Sequence, residues 1–358
     1  MAIQTSPALP LQKPRIAIIG SLNIDFVTAT PRCPGPGETL TATSLSVSAG
    51  GKGGNQAVAC GRASFQTKEE QDVNVTMIGA VGAEDVYYST LLQPALVSSG
   101  VSTSTIEEST KAQTGSATII VEDGGENRIL YVPGANYGDF MSDVSQIVSV
   151  IKQQAEKPSV VVMQGEIPRQ TTLGLLKYFN GGDSIAGRTH VVFNPAPVFP
   201  EGIPLAALNN TSVLIMNETE AVQMLRLIAG LSISDLAQPA EMDTLRPEDL
   251  APRFHEVAKV QIVLITLGAK GVYFSTRSGR SGTVQGVKVA KVIDTTAAGD
   301  TFVGYFSAEL ARVLATGSEL ERFDEYIQDA VTKANSAAAK CVQRHGAMES
   351  VPFAYELA

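Results

Sequence analysis

Short apolar runs without polar interruption recur along this chain, separated by longer stretches with helical spacing. Arg15-Ile16-Ala17-Ile18-Ile19-Gly20 opens the series and reads as a strand buried on both faces that ends in a turn. From about Asp139 onward the pattern is regular. The runs Val160–Met163, Val191–Phe193, Val213–Met216 and Ile262–Ile265 alternate with helical stretches. Such alternation predicts right-handed βαβ units, and hence an α/β fold whose mainly parallel sheet carries helices on both faces. Further strands are predicted over Val73–Ile78, Gly271–Ser275 and Gly286–Ile293, and a helix over Asn55–Ala63. The last third reads as long Ala-rich helix.

Two regions break this rhythm. Thr28–Ser48 is rich in Thr, Pro and Gly and alternates weakly, as edge strands and turns do. Ser116–Val132 contains two alternating runs around Asp123-Gly124-Gly125-Glu126-Asn127, a hairpin signal. Neither alternates with helices, which places both outside the main sheet. The polar segments Ala63–Asp72 and Leu231–Leu250 read as surface insertions, and no internal repeat is present.

A length of 358 residues suits one large α/β domain with a small appendage. With 44% hydrophobic and 18% charged residues the chain has an ordinary globular balance. Its net charge of −9 argues against a binder of nucleic-acid backbone, which needs a basic face. It leaves nucleotides open, because backbone N–H groups hold phosphate without net positive charge. Cys33, Cys60 and Cys341 are far apart, so no disulfide framework is expected and a reducing compartment fits. His190, His255 and His345 form no metal-ligand pattern. No apolar run approaches the roughly 20 residues that span a bilayer. Met1–Lys13 resembles neither a signal nor a transit peptide. The expectation is a soluble intracellular protein with no membrane partner, located in the cytoplasm or also the nucleus.

In an open α/β sheet ligands bind beyond the carboxyl ends of the strands, and the chemically informative residues fall there. Asp294-Thr295-Thr296-Ala297-Ala298-Gly299-Asp300-Thr301 lies between a predicted strand and a helix. Small residues at Ala297, Ala298 and Gly299 let a phosphoryl group approach the first-turn N–H groups, an anion hole reinforced by the helix dipole. Asp300 follows as a candidate base for an attacking hydroxyl. Taken singly, the segment reads more readily as an acidic helix start. Ala49-Gly50-Gly51-Lys52-Gly53-Gly54-Asn55-Gln56-Ala57 opens a helix with glycines that permit close backbone approach. It is neither a Walker A loop nor a dinucleotide fingerprint, and by itself it is a plain turn. Asn23 and Asp25, just after the first strand, share one face of an extended segment and suit neighbouring sugar hydroxyls; turn formation explains them as well. Asn217-Glu218-Thr219-Glu220 ends one strand and opens a helix, where capping competes with a role at phosphate or Mg²⁺. Thr266-Leu267-Gly268-Ala269-Lys270-Gly271 is a glycine-bearing turn that could border a nucleotide.

In this order, from about Arg15 to Pro352, these segments resemble the ribokinase-like (pfkB) family of carbohydrate kinases. Gly50–Ala57 is similar to the family's first signature and Asp294–Thr301 to its second. The resemblance implies a three-layer αβα sandwich over residues 15–352, with lid strands within about 26–50 and 103–133 and tails at 1–14 and 353–358. It implies phosphorylation of D-ribose at O5 by ATP, with Asp300 as base beside Ala297, Ala298 and Gly299. The sugar would be held by Asn23, Asp25, Gly51, Lys52, Gly53, Asn55, Glu166 and Asp300. The nucleotide would lie against Asn217, Thr266, Gly268, Gly271, Gly299 and Asn335. Glu220 would support Mg²⁺, whose charge offsets the phosphates. A K⁺ ion would sit between Asp294 and Thr296 on one side and Cys341, Arg344, Gly346 and Ser350 on the other, mostly on backbone carbonyls. Lid strands that pair between subunits would make the protein a homodimer. Two other readings stay open: a kinase for another furanose or a nucleoside on the same fold, and a non-catalytic sugar or nucleotide sensor.

Overall fold

The computed structural model describes residues 13–181, 189–229 and 245–357. The insertion expected near Met242, most of the amino-terminal tail and Ala358 lie outside the described residues. The chain enters through β1 (Arg15–Ile19), β2 (Asn23–Thr30) and β3 (Ser44–Gly50), and then helix α1 (Lys52–Ala63). Next come β4 (Asn74–Gly82), α2 (Gln93–Ser98), β5 (Val101–Ser109), β6 (Gly115–Glu122) and β7 (Asn127–Val132). Helix α3 (Val144–Gln153), β8 (Val160–Met163), α4 (Arg169–Asn180) and β9 (His190–Phe193) begin the regular alternation. A two-residue β10 (Ile203–Pro204), α5 (Leu205–Leu208), β11 (Val213–Asn217), α6 (Glu218–Leu227) and a short β12 (Ile228–Ala229) follow. Helix α7 (Pro247–Ala258), β13 (Ile262–Thr266), β14 (Gly271–Thr276), β15 (Ser281–Gln285), α8 (Ala298–Ala315) and α9 (Ile327–Cys341) complete the order.

The large sheet runs β15-β14-β13-β11-β9-β8-β1-β4-β5, parallel from β5 to β13 and antiparallel at β14 and β15. Because strand side chains alternate, each strand feeds two cores. Ile16, Ile18, Val160, Val162, Val213 and Ile215 face one core, closed by α1, α2, α8 and α9. Ala17, Ile19, Val161, Met163, Leu214 and Met216 face the other, closed by α3 to α7. That double burial is why these strands read as unbroken apolar runs. A separate sheet, β3-β2-β6-β7, stands beyond the carboxyl end of β1, from which β2 continues after three residues.

Two expectations change. The region expected at 103–133 to lie outside the main sheet contains most of β5, which pairs parallel with β4 as the large sheet's edge; only β6 and β7 join the small sheet. The strand expected at Gly286–Ile293 is instead β15, ending at Gln285. A tight turn through Gly279, at φ 103°, brings the polar run Ser281–Gln285 directly against β14, so pairing is settled by turn position. Val287 and Val292, which suggested the strand, are about half exposed and border a cavity.

Candidate active site

The carboxyl ends of β1, β8, β9, β11 and β13 lie side by side, so the residues that follow them converge. Asn23 and Asp25 project from one face of β2, with Leu22 and Ile24 buried. Both polar groups rest on glycine. A Cβ on Gly115 would lie 2.4 Å from Asn23 Oδ1, and a Cβ on Gly50 would lie 2.1 Å from Asp25 Oδ2. Asn136, fully buried, fixes this corner: its Nδ2 donates to Asn23 Oδ1 (2.7 Å) and its Oδ1 accepts from Leu22 N (2.9 Å). Burial, then the nearby Glu166 and Glu349 charges, push the Asp25 carboxyl up to about 6.

Gly51, at φ 85°, turns the chain into α1, and a Cβ on Gly53 would lie 2.5 Å from Ser21 N, so α1 begins in direct backbone contact with the segment after β1. Glu166, after β8, ties this junction together. Its Oε2 accepts from Ser21 Oγ (2.5 Å) and from Lys52 N (2.8 Å). Burial raises the Glu166 carboxyl above its ordinary range, against the opposing pull of Lys52. The Lys52 ammonium is held above its ordinary range chiefly by Asp300.

Asp300 lies in the first turn of α8 and is almost fully buried. Its Oδ2 accepts from Asn55 Nδ2 (3.0 Å) and its Oδ1 from Gln56 Nε2 (2.8 Å). Asn55 Oδ1 is buried with no partner among the described residues, an acceptor whose desolvation is uncompensated until a donor arrives. Ala297 precedes the helix in the left-handed conformation, φ 60°, uncommon for a residue with a side chain. Ala298 N donates to Thr295 O (3.3 Å), whereas the N–H groups of Gly299 and Asp300 have no partner among the described residues. A Cβ on Gly299 would meet no atom within 4 Å. The start of α8 therefore opens onto free space with donors exposed, a ready anion site.

Two cavities meet there. One of about 290 Å³ is walled by Thr266, Gly268, Gly271, Val287, Val292, Phe302 and Asn335, among others. The other, about 230 Å³, is lined by Lys52, Asn194, Asn217, Glu220 and Asp300. Gly299, Thr266 and Thr295 border both. Asn217 and Glu220 form a reciprocal cap at the start of α6, Asn217 Oδ1 accepting from Glu220 N (2.8 Å) and Glu220 Oε2 from Asn217 N (2.9 Å). The cap occupies one side-chain oxygen of each residue, and both residues line the cavity. Burial raises the Glu220 carboxyl. Asn335 Nδ2 donates to Gln285 O (2.8 Å), fixing its amide at the far wall.

Behind α8, Asp294 bridges two loops: Oδ1 accepts from Thr296 N (2.9 Å) and Oδ2 from Gly346 N (3.1 Å). Burial opposes its ionisation, but these hydrogen bonds outweigh that and hold its carboxyl below the usual range. Cys341 Sγ lies 3.6 Å from Thr296 O and 3.1 Å from Ser350 Oγ. The Arg344 guanidinium pairs instead with Glu356 (2.7 Å), which leaves only its backbone for a cation. Among the described residues no three His, Cys, Asp or Glu side chains form a metal cage.

Sequence reasoning missed Ser21, Gln56, Gly115, Asn136, Gln164 and Asn194. Gln164 and Asn194 each follow an apolar strand directly, the signal that found Asn23 and Asn217. Gly115 and Asn136 carried no such signal, since their roles exist only once β6 lies beside β2.

A model of the pfkB family carbohydrate kinases matches residues 13–354. A ribokinase of Schizosaccharomyces pombe is 33% identical over 346 residues, covering 96% of each chain. The solved ribokinase of Arabidopsis thaliana complexed with ribose and ATP is 26% identical, with a TM-score of 0.74 over 96% of this chain and 97% of its own. The Cryptococcus neoformans ribokinase in complex with ADP is 29% identical, with a TM-score of 0.70 over 96% and 98%. With the family pattern matched from end to end, the chain belongs to the pfkB family of carbohydrate kinases.

Proposed function

We propose that this protein transfers the γ-phosphoryl group of ATP to O5 of D-ribose, giving ribose 5-phosphate and ADP. The observation that carries this reading is the position of Asp300. Its buried carboxylate is joined to Asn55 on the sugar side and borders the cavity that Gly299 shares with the nucleotide side. Full-length relatives named ribokinase support the choice of sugar and of ATP.

Asn23, Asp25 and the free Oδ1 of Asn55 offer acceptors to sugar hydroxyls, with Gly51, Lys52, Gly53 and Glu166 shaping the floor. Asp300 takes the proton of the O5 hydroxyl as that oxygen attacks phosphorus and the β–γ bridging bond breaks. The N–H groups of Gly299 and Asp300, at the positive end of α8, stabilise the negative charge on the transferring group. Asn217, Thr266, Gly268, Gly271 and Asn335 line the nucleotide's cavity.

Glu220 fits Mg²⁺ held through water, since its carboxylate lines the cavity and the cap uses only one of its oxygens. The ion would neutralise phosphate charge. Asp294, a hard carboxylate between two loops, and Thr296 fit one half of a K⁺ site, with the backbone oxygens of Cys341, Arg344, Gly346 and Ser350 as the other half. That ion would order the loop leading to Gly299. Exposed Leu45, Ile129, Leu130 and Val132 on the small sheet suit pairing of two lids in a homodimer. Three free cysteines suit the reducing cytoplasm or nucleus.

The test is ATP consumption with ribose, deoxyribose, fructose and adenosine, on the native chain and on Asp300→Asn. Ribose is expected to be preferred, with turnover in the variant lower by roughly 10²–10⁴. Preference for another acceptor overturns the substrate, and near-native turnover of Asp300→Asn overturns the base.

A further inference from the structure

We infer that Gln56 is the positioning residue of the catalytic base, a carboxamide that holds Asp300 in its reactive orientation before either substrate arrives. The inference rests on the reading of Asp300 as the base and goes beyond it.

Asn55 and Gln56 are neighbours on α1, and successive helical residues point about 100° apart. They nevertheless reach the same carboxylate, one on each oxygen. This works because α1 and α8 are in close contact: a Cβ on Gly304 would lie 2.3 Å from Ala59 Cβ. Asp300 is therefore clasped from two directions.

The two amides are not equivalent. Asn55 Oδ1 is buried and unpartnered among the described residues, so Asn55 has a group left for the sugar. Gln56 has none. Its Nε2 donates to Asp300 Oδ1 (2.8 Å) and to Asn194 Oδ1 (3.0 Å), and its Oε1 accepts from Gln164 Nε2 (2.7 Å). Both amide protons are used, and the oxygen is engaged as well. Gln56 is fully buried and takes no part in lining the cavity beside Asp300, so its work is done on the base and not on substrate.

Its anchors give the clasp a fixed frame. Gln164 follows β8 and is 1% exposed; Asn194 follows β9, and its Nδ2 donates to Ile215 O in β11 (2.9 Å). The carboxylate's orientation is thereby referred to three neighbouring strand ends, the same ends that carry Glu166 and Asn217. A carboxylate free to turn would spend most of its time misaligned with the hydroxyl, and misplacement of about 1 Å costs as much as 10²-fold in rate. Second contacts that lock a reacting group are the general remedy.

The experiment uses the full chain in four forms: native, Gln56→Leu, Asp300→Asn and the double variant. Steady-state kinetics with ribose and ATP are measured after thermal unfolding has shown each form folded. Gln56→Leu is expected to lower kcat roughly 10- to 100-fold, with both KM values within about twofold of native. In the Asp300→Asn background the same substitution is expected to cost nothing further, because Gln56 acts through Asp300. Unchanged kcat in Gln56→Leu overturns the inference, as does an equal loss in both backgrounds, which marks a merely structural role. Near-native turnover of Asp300→Asn alone sinks the base reading instead. Should Gln56→Leu fail to fold, Gln164→Met removes the anchor while keeping the bond to Asp300. Its kcat is expected to fall roughly three- to tenfold, only where Asp300 is present; no fall overturns the inference.

Discussion

Replacing Asp25 by Asn separates two consequences of one buried carboxylate. Asp25 lies on β2 over Gly50, with Glu166 and Glu349 near enough to oppose its charge. Its carboxyl rises from an ordinary 3.8 to about 6, first through burial and then through those two neighbours. A raised carboxyl means that the folded state disfavours the ion. The penalty is full above about pH 6, is relieved as pH falls through that value, and is gone below the unfolded value of 3.8. The rise corresponds to about 3 kcal/mol at 1.36 kcal/mol per pH unit, which residual solvent contact reduces to about 1–3 kcal/mol. Asp25→Asn keeps the shape and removes the charge. Urea unfolding at pH 7 should therefore show the ligand-free variant more stable by about 1–3 kcal/mol, with a smaller gain at pH 5. The same change removes the charged acceptor proposed for the sugar, expected to be worth about 1.5–3 kcal/mol, or roughly 10- to 100-fold in ribose KM. In the native protein a group titrating at about 6 is about nine-tenths protonated at pH 5, so ribose KM should rise about tenfold from pH 8 to pH 5. In Asp25→Asn that part of the pH dependence should vanish. A variant no more stable than native at pH 7, with unaltered ribose KM, refutes the reasoning.

Gly115→Ala places a methyl 2.2 Å from Asn136 Nδ2 and 2.4 Å from Asn23 Oδ1, so ribose KM should rise at least tenfold while ATP KM holds; equal changes in both would point to general loosening. Gly299→Ala meets no atom and improves helix propensity by about 1 kcal/mol, so Tm should not fall, yet its methyl enters the space between the two cavities and turnover should drop about tenfold. A stable variant with native kcat would remove Gly299 from the phosphate path. Exchanging K⁺ for Na⁺ should slow turnover severalfold without lowering Tm, because Asp294 keeps its bonds to Thr296 and Gly346 in either salt. Equal rates in both salts would count against the cation site.

Much of the fold was legible because double burial leaves a plain mark. Val160–Met163 and Ile262–Ile265 are apolar throughout since each strand serves both cores, and both are strands as expected. Where burial is one-sided or pairing depends on a turn, the mark fades. β15 is polar and was misplaced by several residues toward the valines that line a cavity, and β5 alternates like an outer strand yet closes the large sheet.

The candidate site divides along the same line. Asp300, Gly299, Lys52 and Asn55 stand in compact segments at a helix start, where backbone donors and local spacing suggest an anion site and the order of the segments along the chain supplies the family resemblance. Sequence alone therefore determined the parallel α/β plan and the family, and it singled out the residues proposed to lie beside the reacting bond. Only the tertiary structure decided which groups hold them. Gln56 meets Gln164 and Asn194 across 108 and 138 residues, and Asn136 meets Asn23 across 113. Such amide contacts carry no periodicity and no motif, because a hydrogen bond between elements so distant in sequence exists only after the fold has brought them together.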